Sequence, residues 1–394
     1  MPKILVLSFY YPPDLAAGSF RTEAMVKALR EQYGDKVSVD VLTTQPNRYF
    51  SYPEVGEEYE SISGLCIRRI ALPAHHSGFL DQAIAFSHYA WGVYKYARKE
   101  QYDLILATSS RLMTAALGRW MAGKLRIPLY LDIRDIFVEN LPEMLPFRGG
   151  ILLSRFFGLL ETWTIKGAQK VNLVSAGFLP YFEERYPGTH YSVFTNGIDD
   201  VFLSAPDSLI DRSTDPYLRV VYAGNIGAGQ GLHLIVPELA ERLRDKAKFK
   251  IIGDGSALTE LKAVIKARGL EDCVELCSPV PRSELVNIYR QADILFLHLN
   301  SFSSLKRVLP SKVFEYAAMG KPVWAGLHGY SAEFVLAQIE NAAVFPPCDV
   351  NKALDALTSL TVGFHSRADF RERYARSSTM RAMVDDVVLT ASKR

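Results

Sequence analysis

Pro310-Ser311-Lys312-Val313-Phe314-Glu315-Tyr316-Ala317-Ala318-Met319-Gly320-Lys321-Pro322-Val323 reads as a turn, a short helix and a following strand. Pro310 and Ser311 suit the first positions of a helix, Gly320 suits its end, and Pro322 opens the strand. The start of a helix presents free N–H groups and the positive end of the macrodipole, which attract a phosphate. Lys312 adds a cation beside that anion site. Glu315 lies three residues further on and shares the helix face of Lys312, where its carboxylate can accept hydrogen bonds from a ribose diol. Phosphate and sugar hydroxyls together suggest a nucleotide; as plain structure, the same stretch is an amphipathic helix of an α/β domain.

Outward from this stretch the same grammar repeats. Arg219-Val220-Val221-Tyr222, Lys248 to Ile252, Val274-Glu275-Leu276, Ile294 to Leu297, Pro322-Val323-Trp324 and Ala343-Val344-Phe345 read as strands separated by helices. Towards the N-terminus, residues 4–9 are an apolar run, residues 20–32 show helical spacing, and residues 37–43 resume as a strand. Leu104-Ile105-Leu106, the helical segment Leu112 to Leu125 and Leu129-Tyr130-Leu131 repeat the βαβ unit; Val171 to Val174 and Tyr191 to Phe194 continue the sheet. Parallel sheets with crossover helices follow from this alternation. A chain of 394 residues, 48% hydrophobic, exceeds one ordinary core and divides into two domains. The polar, turn-rich stretch 204–216 is the candidate linker between an N-terminal domain, 1–203, and a C-terminal one, 217–366; a final helical segment, 367–394, is a candidate to cross back to the first domain. The expected fold class is α/β, with two doubly wound Rossmann-like domains facing a central cleft, because ligands of open α/β sheets bind beyond the carboxyl ends of the strands.

The formal net charge is +2 with no long run of one sign, which gives no electrostatic footprint for nucleic acid. The four cysteines, at 66, 273, 277 and 348, are too few and too scattered for a disulfide framework and indicate a reducing compartment. Cys273 and Cys277 are spaced for one face of a helix, with no second pair at zinc-site spacing. Met1-Pro2-Lys3 runs directly into an apolar strand without the pattern of a signal peptide, so a cytoplasmic location is expected.

Three loops carry the chemistry. Gly18 sits between the first strand and a helix, where a small residue lets a ligand approach the backbone. Gly224-Asn225-Ile226-Gly227-Ala228-Gly229-Gln230-Gly231 follows a strand, a phosphate-favouring loop that does not satisfy the G-x-G-x-x-G dinucleotide fingerprint. Gly253-Asp254-Gly255 reads as a tight turn. Asp132-Ile133-Arg134-Asp135 places charge at a strand end of the first domain; for Asp135 the plain structural readings are a helix N-cap or an ion pair with Arg134. No two aspartates are separated by one residue, and no Walker loop, H-E-x-x-H or G-x-S-x-G element occurs, so no metal or cofactor is expected.

In order and spacing, Pro12-Pro13 through Gly18, Tyr222 to Gly227, Gly253-Asp254-Gly255, Val274 to Pro281, Ala292-Asp293-Ile294 and Phe314 to Val323 resemble the retaining, metal-independent glycosyltransferases of the GT-B fold, specifically glycosyltransferase family 4, across nearly the whole chain. The Pro-Ser-Lys variant with Gln230-Gly231 resembles the branch that builds bacterial surface polysaccharides, aminosugar transferases included. The resemblance implies a nucleotide-sugar donor, which is a substrate rather than a cofactor and most plausibly carries uracil. The base would lie near Val280, the ribose on Glu315, and the diphosphate between the loop after Gly224 and the helix starting at Ser311. Three positions depart from the family pattern: Arg307 replaces the first of two acidic residues eight apart, and Asn225 and Gln230 replace an Arg and a Lys. Lys306, Arg307 and Lys312 are the cations expected to compensate. Retention without a metal or an evident nucleophile implies front-face attack assisted by the leaving diphosphate, with Asp135, the candidate to contact the transferred sugar or an acceptor hydroxyl, and Arg307 as the residues nearest the chemistry. The acceptor would be a glycan or a polyprenyl-diphosphate-linked sugar. Rival functions are a nucleotide-sugar epimerase of the same architecture and a non-catalytic nucleotide-sugar-binding protein.

Two segments, 79–99 and 147–170, mix aromatic and aliphatic residues with Lys and Arg as an interfacial helix does; the alternative is burial within the first domain. Contact of either with a bilayer would put the enzyme at the inner face of the cell membrane.

Overall fold

The computed structural model describes residues 2–14, 16–47, 55–73, 79–109, 112–136, 138, 148–205 and 216–392. The chain forms two compact units, Met1–Asn196 with Ser377–Arg394, and Gly197–Arg376.

The first unit is built on an eight-stranded sheet of β1 (Lys3–Leu7), β2 (Ser38–Thr44), β3 (Tyr59–Ile62), β4 (Leu65–Ile70), β5 (Leu104–Ser109), β6 (Leu129–Ile133), β7 (Lys170–Leu173) and β8 (Tyr191–Ser192), in the order β3-β4-β2-β1-β5-β6-β7-β8. All its pairings are parallel except β3 with β4. Its helices are α1 (Ala17–Tyr33), α2 (Phe79–Ala97), α3 (Leu112–Leu125), α4 (Arg148–Lys166) and α5 (Leu179–Arg185). Crossover helices bury the central strands: every residue of β5 and β6 is buried, the polar Thr108, Ser109 and Asp132 included.

The second unit carries a six-stranded, wholly parallel sheet of β9 (Leu218–Ala223), β10 (Ala247–Ile252), β11 (Val274–Cys277), β12 (Ile294–His298), β13 (Val323–Gly326) and β14 (Ala342–Phe345), ordered β11-β10-β9-β12-β13-β14. Its helices are α6 (Asp200–Leu203), α7 (Leu232–Arg242), α8 (Leu258–Ala267), α9 (Arg282–Gln291), α10 (Ser311–Ala318), α11 (Tyr330–Gln338), α12 (Val350–Leu357) and α13 (Ala368–Arg373). Helix α14 (Arg376–Ser392) ends the chain, and its Met380, Met383, Val384 and Val387 pack into the first unit's core against Ile4, Val6 and Leu104. The spacing of those four residues is the apolar stripe of one helix face.

The structure corrects several expectations. The first crossing between units falls at Gly197, ahead of 204–216, because Ile198 and Phe202 are buried in the core of the second unit; residues 206–215 of the expected linker lie outside the described residues. The single helical segment expected over 367–394 is two helices. It breaks at Tyr374–Ala375, where Ala375 bridges Ile198 and Tyr374 O accepts from Ile198 N at 2.7 Å. Cys273 precedes strand β11 and Cys277 is its last residue, so the two do not share a helix, and none of the four cysteines is in a disulfide. The β3–β4 hairpin, turning at Gly64 with φ +74°, has no counterpart in the sequence reading.

Candidate functional site

In the second sheet β9 lies between β10 and β12, so the order reverses beside β9, and the loop after it stands at the topological switch point. That loop is held by backbone. Gly224 N donates to Ile252 O (2.8 Å), Ile226 N to Asp254 O (2.8 Å), and Ala257 N to Ile226 O (2.9 Å). The Gly253 turn is thereby pressed onto the Gly224 loop. Gly253 has φ +150°, and a Cβ built on it would lie 1.8 Å from Gly224 O. The Gly253-Asp254-Gly255 turn therefore supports the glycine loop. Gly253→Ala is expected to destabilise the second unit by about 1–3 kcal/mol, read as a lower urea midpoint with unchanged slope.

Asn225 and Gln230, which stand where the family pattern has cations, are bonded to each other: Asn225 Nδ2 donates to Gln230 Oε1 at 2.6 Å, and Gly227 N donates to the same oxygen at 3.3 Å. They close the loop on itself and give it shape without charge. Tyr222 Oη donates to Asn225 O (2.5 Å), and Asn300 Nδ2 to Ala228 O (2.8 Å). His298 receives Cys348 N at Nε2 (3.0 Å), so its Nδ1 carries the proton and donates to Gln230 O (2.6 Å). Burial pushes the His298 pKa down to about 4, which keeps the ring neutral near pH 7 in this relay. Gly231, in the left-handed region at φ +60°, then starts α7.

Charge comes from α10. Pro310 occupies its N-cap in an extended conformation without a side-chain cap, and Ser311 is the first helical residue. Lys312 Nζ sits over the glycine loop: a Cβ built on Gly224 would lie 2.3 Å from it, and it stands 5.2 Å from the centre of the Tyr222 ring. The structure thus brings Gly224, Gly227, Asn225 and Gln230 together with Lys312 at the start of α10.

Glu315 is buried one turn further on, and Arg282 Nη2 donates to its Oε1 at 2.5 Å. The same guanidinium pairs with Asp199, which also pairs with Arg376. No periodicity links Arg282 to Glu315, 33 positions apart, so sequence reasoning missed it; the one signal was its place two residues after Val280. Val280 packs, partly buried, against the core that contains Val313 and Phe314. Arg307 ends a short 3-10 turn, Ser303–Arg307, and is half-buried.

In the first unit Gly18 is buried at the start of α1, where a Cβ would meet the guanidinium of Arg134. Arg134, read from the sequence only as an ion-pair partner for Asp135, is therefore the cation at the Gly18 turn. Asp135 is exposed, and Ile136 N donates to its Oδ1 at 3.1 Å.

Residues 18–197 match the glycosyl transferase 4-like domain, and residues 218–361 match the glycosyl transferases group 1 domain. The chain is a glycosyltransferase of the GT-B type. Its curated relatives include the putative colanic acid biosynthesis glycosyl transferase WcaI of Escherichia coli (strain K12), 24% identical over 340 residues and covering 81% of each chain. Among solved structures, this glycosyltransferase is similar to sucrose-phosphate synthase from Thermosynechococcus elongatus (TM-score 0.75, 13% identity, 100% of both chains). It is also similar to HepE from Anabaena in complex with UDP-glucose (TM-score 0.65, 16% identity, 98% of this chain and 99% of that one).

Proposed function

We propose that this glycosyltransferase transfers a sugar from a UDP-linked donor, with retention and without a metal, to a glycan or polyprenyl-diphosphate-linked acceptor in bacterial surface polysaccharide synthesis. One observation carries the donor assignment: the Lys312 ammonium lies over the Gly224 loop at the N-terminus of α10, with the Glu315 carboxylate one turn along the same helix. A diphosphate accepts hydrogen bonds from the ammonium and from the N–H groups of Ser311 and Lys312 at the helix start. Arg282 occupies part of the acceptor capacity of Glu315, and the carboxylate's remaining lone pairs suit a ribose diol. The UDP-glucose complex of HepE supports a uridine donor, and the WcaI relative supports a polysaccharide acceptor.

In this mechanism the chain's residues position and stabilise charge. Lys312 and the α10 N-terminus hold the departing diphosphate oxygens, which take the acceptor proton as the new glycosidic bond forms on the face that the leaving group vacates. Arg307 adds charge to phosphate or sugar, Gly18 leaves room for the ligand, Val280 borders the base, and Asp135 orients the sugar or the acceptor hydroxyl.

A panel of nucleoside diphosphates and their sugars, read by thermal shift, tests the donor. UDP or a UDP-sugar is expected to raise the melting midpoint in proportion to occupancy. A panel in which only a purine nucleotide stabilises the chain overturns the uridine assignment, and release of an epimerised donor without acceptor overturns the transfer assignment.

A further inference from the structure

We propose that the outer surface of α2, α3 and α4 in the first unit is a docking face for an anionic lipid bilayer. Tryptophan is ordinarily well buried, yet three of the four tryptophans stand out on these three helices: Trp91 on α2 is 67% exposed, Trp120 on α3 40% and Trp163 on α4 43%. The fourth, Trp324, is fully buried and its indole N–H donates to Ala353 O. Phe156 and Leu159 stand exposed beside Trp163 at helical spacing on α4.

The patch is continuous. Tyr94 lies 5.9 Å from the Trp91 ring and 5.4 Å from Trp120, joining α2 to α3, while the Arg119 guanidinium lies 5.3 Å over Trp163, joining α3 to α4.

The charge around the patch identifies the occupant. Lys124 lies over Trp120 and Arg98 over Tyr94, and Lys95, Arg155 and Lys166 are also exposed. α3 contains no carboxylate, the one carboxylate of α2, Asp81, lies in its first turn ten residues before Trp91, and the one carboxylate of α4, Glu161, is buried and accepts from Tyr181 and Tyr186. Rings with a polar edge, set among cations and exposed aliphatic residues, match the headgroup layer of an anionic leaflet. Among the described residues no helix is long and apolar enough to cross a membrane, so the helices lie along the surface. Sequence pattern pointed to 79–99 and 147–170 separately. Only the fold inserts α3 between them and makes one face. The inference rests on exposed side chains of the first unit and stands apart from the donor reading.

The test is co-sedimentation of the full chain with vesicles of phosphatidylcholine and phosphatidylglycerol, against phosphatidylcholine alone, with tryptophan emission read on the same samples. The chain is expected to pellet with the anionic vesicles, with a blue shift in emission and weaker binding at high salt. The triple variant Trp91→Ser/Trp120→Ser/Trp163→Ser should lose the shift. Lys95→Glu/Lys124→Glu should weaken partition by about tenfold or more. Circular dichroism melts, and the thermal shift with UDP on the same preparations, separate a lost membrane face from a lost fold or a wrong donor. Failure to bind anionic vesicles, or equal binding by both variants, overturns the proposal. So does a dimer in light scattering that the triple variant dissociates, since a second copy would then cover the face.

Discussion

Lys312→Ala is expected to lower turnover of a UDP-linked donor by about 10²–10³-fold, the scale of removing one preorganised donor from a developing anion. The magnitude follows from how little other charge the loop supplies. Asn225 and Gln230 are tied to each other, so the glycine loop contributes shape and backbone N–H groups but no cation. The ammonium is placed by packing, over the Tyr222 ring and against Gly224, whose missing side chain leaves its space. Because charge on the diphosphate grows as the sugar departs, the loss should appear mainly in kcat, with a smaller change in KM. Lys306, exposed in the same region, should tolerate alanine within about tenfold, the scale of an exposed charge contact. Glu315→Gln should instead raise the donor KM, and with it relax the preference for ribose over deoxyribose in the thermal shift. Wild-type turnover within threefold in Lys312→Ala would remove Lys312 from the diphosphate site.

Arg21→Met is expected to destabilise the chain by about 3–5 kcal/mol in urea unfolding, with no role in the chemistry. Arg21 on α1 grips Asp132 on β6 through Nε and Nη2, each at 2.9 Å, and both side chains are 1% exposed. The guanidinium also donates to Thr195 O at 2.7 Å and Phe194 O at 2.8 Å. Removing it strands a buried carboxylate with only Thr108 and Asn172 as donors. Restoring balance by Arg21→Met/Asp132→Leu should recover much of the loss, since an apolar pair of similar volume needs no desolvation.

The pH dependence separates this account from a plain packing loss. Burial raises the Asp132 pKa, but the charge and hydrogen bonds of Arg21 and the amide of Asn172 more than offset it, and the carboxyl ends below its ordinary value. A folded pKa below the unfolded one means stability that is present above the ordinary carboxylate range and lost as pH falls through the folded value. In Arg21→Met only the hydrogen bonds of Thr108 and Asn172 and the charge of Arg134 still oppose burial, and the carboxyl is expected to rise above that range, so the folded state takes up the proton first and acidification stabilises it. The gap between variant and wild type should therefore narrow as pH falls from 7 towards 5. A gap independent of pH would mean that the cost lies in packing alone.

Local signals were enough for much of this. The strand runs and helix spacings of both halves, and the phosphate-suited start at Pro310-Ser311-Lys312, are written in adjacent residues, because a helix start and a buried parallel strand are properties of a few consecutive side chains. The β3–β4 hairpin was missed although Ser63-Gly64 is a two-residue turn signal, because β3 is an edge strand with exposed positions and lacks the apolar run by which the other strands were read. The break at Tyr374–Ala375 was missed because it serves a bridge to Ile198, far away in the chain. Two doubly wound α/β units and the helix start at Pro310-Ser311-Lys312 were legible in consecutive residues. Packing alone makes Arg282, itself paired with Asp199, hold Glu315, sets Lys312 on the Gly224 loop, and gives three helices one aromatic and basic face. Those contacts join residues tens of positions apart, and their free energy exists only once packing has brought the partners together.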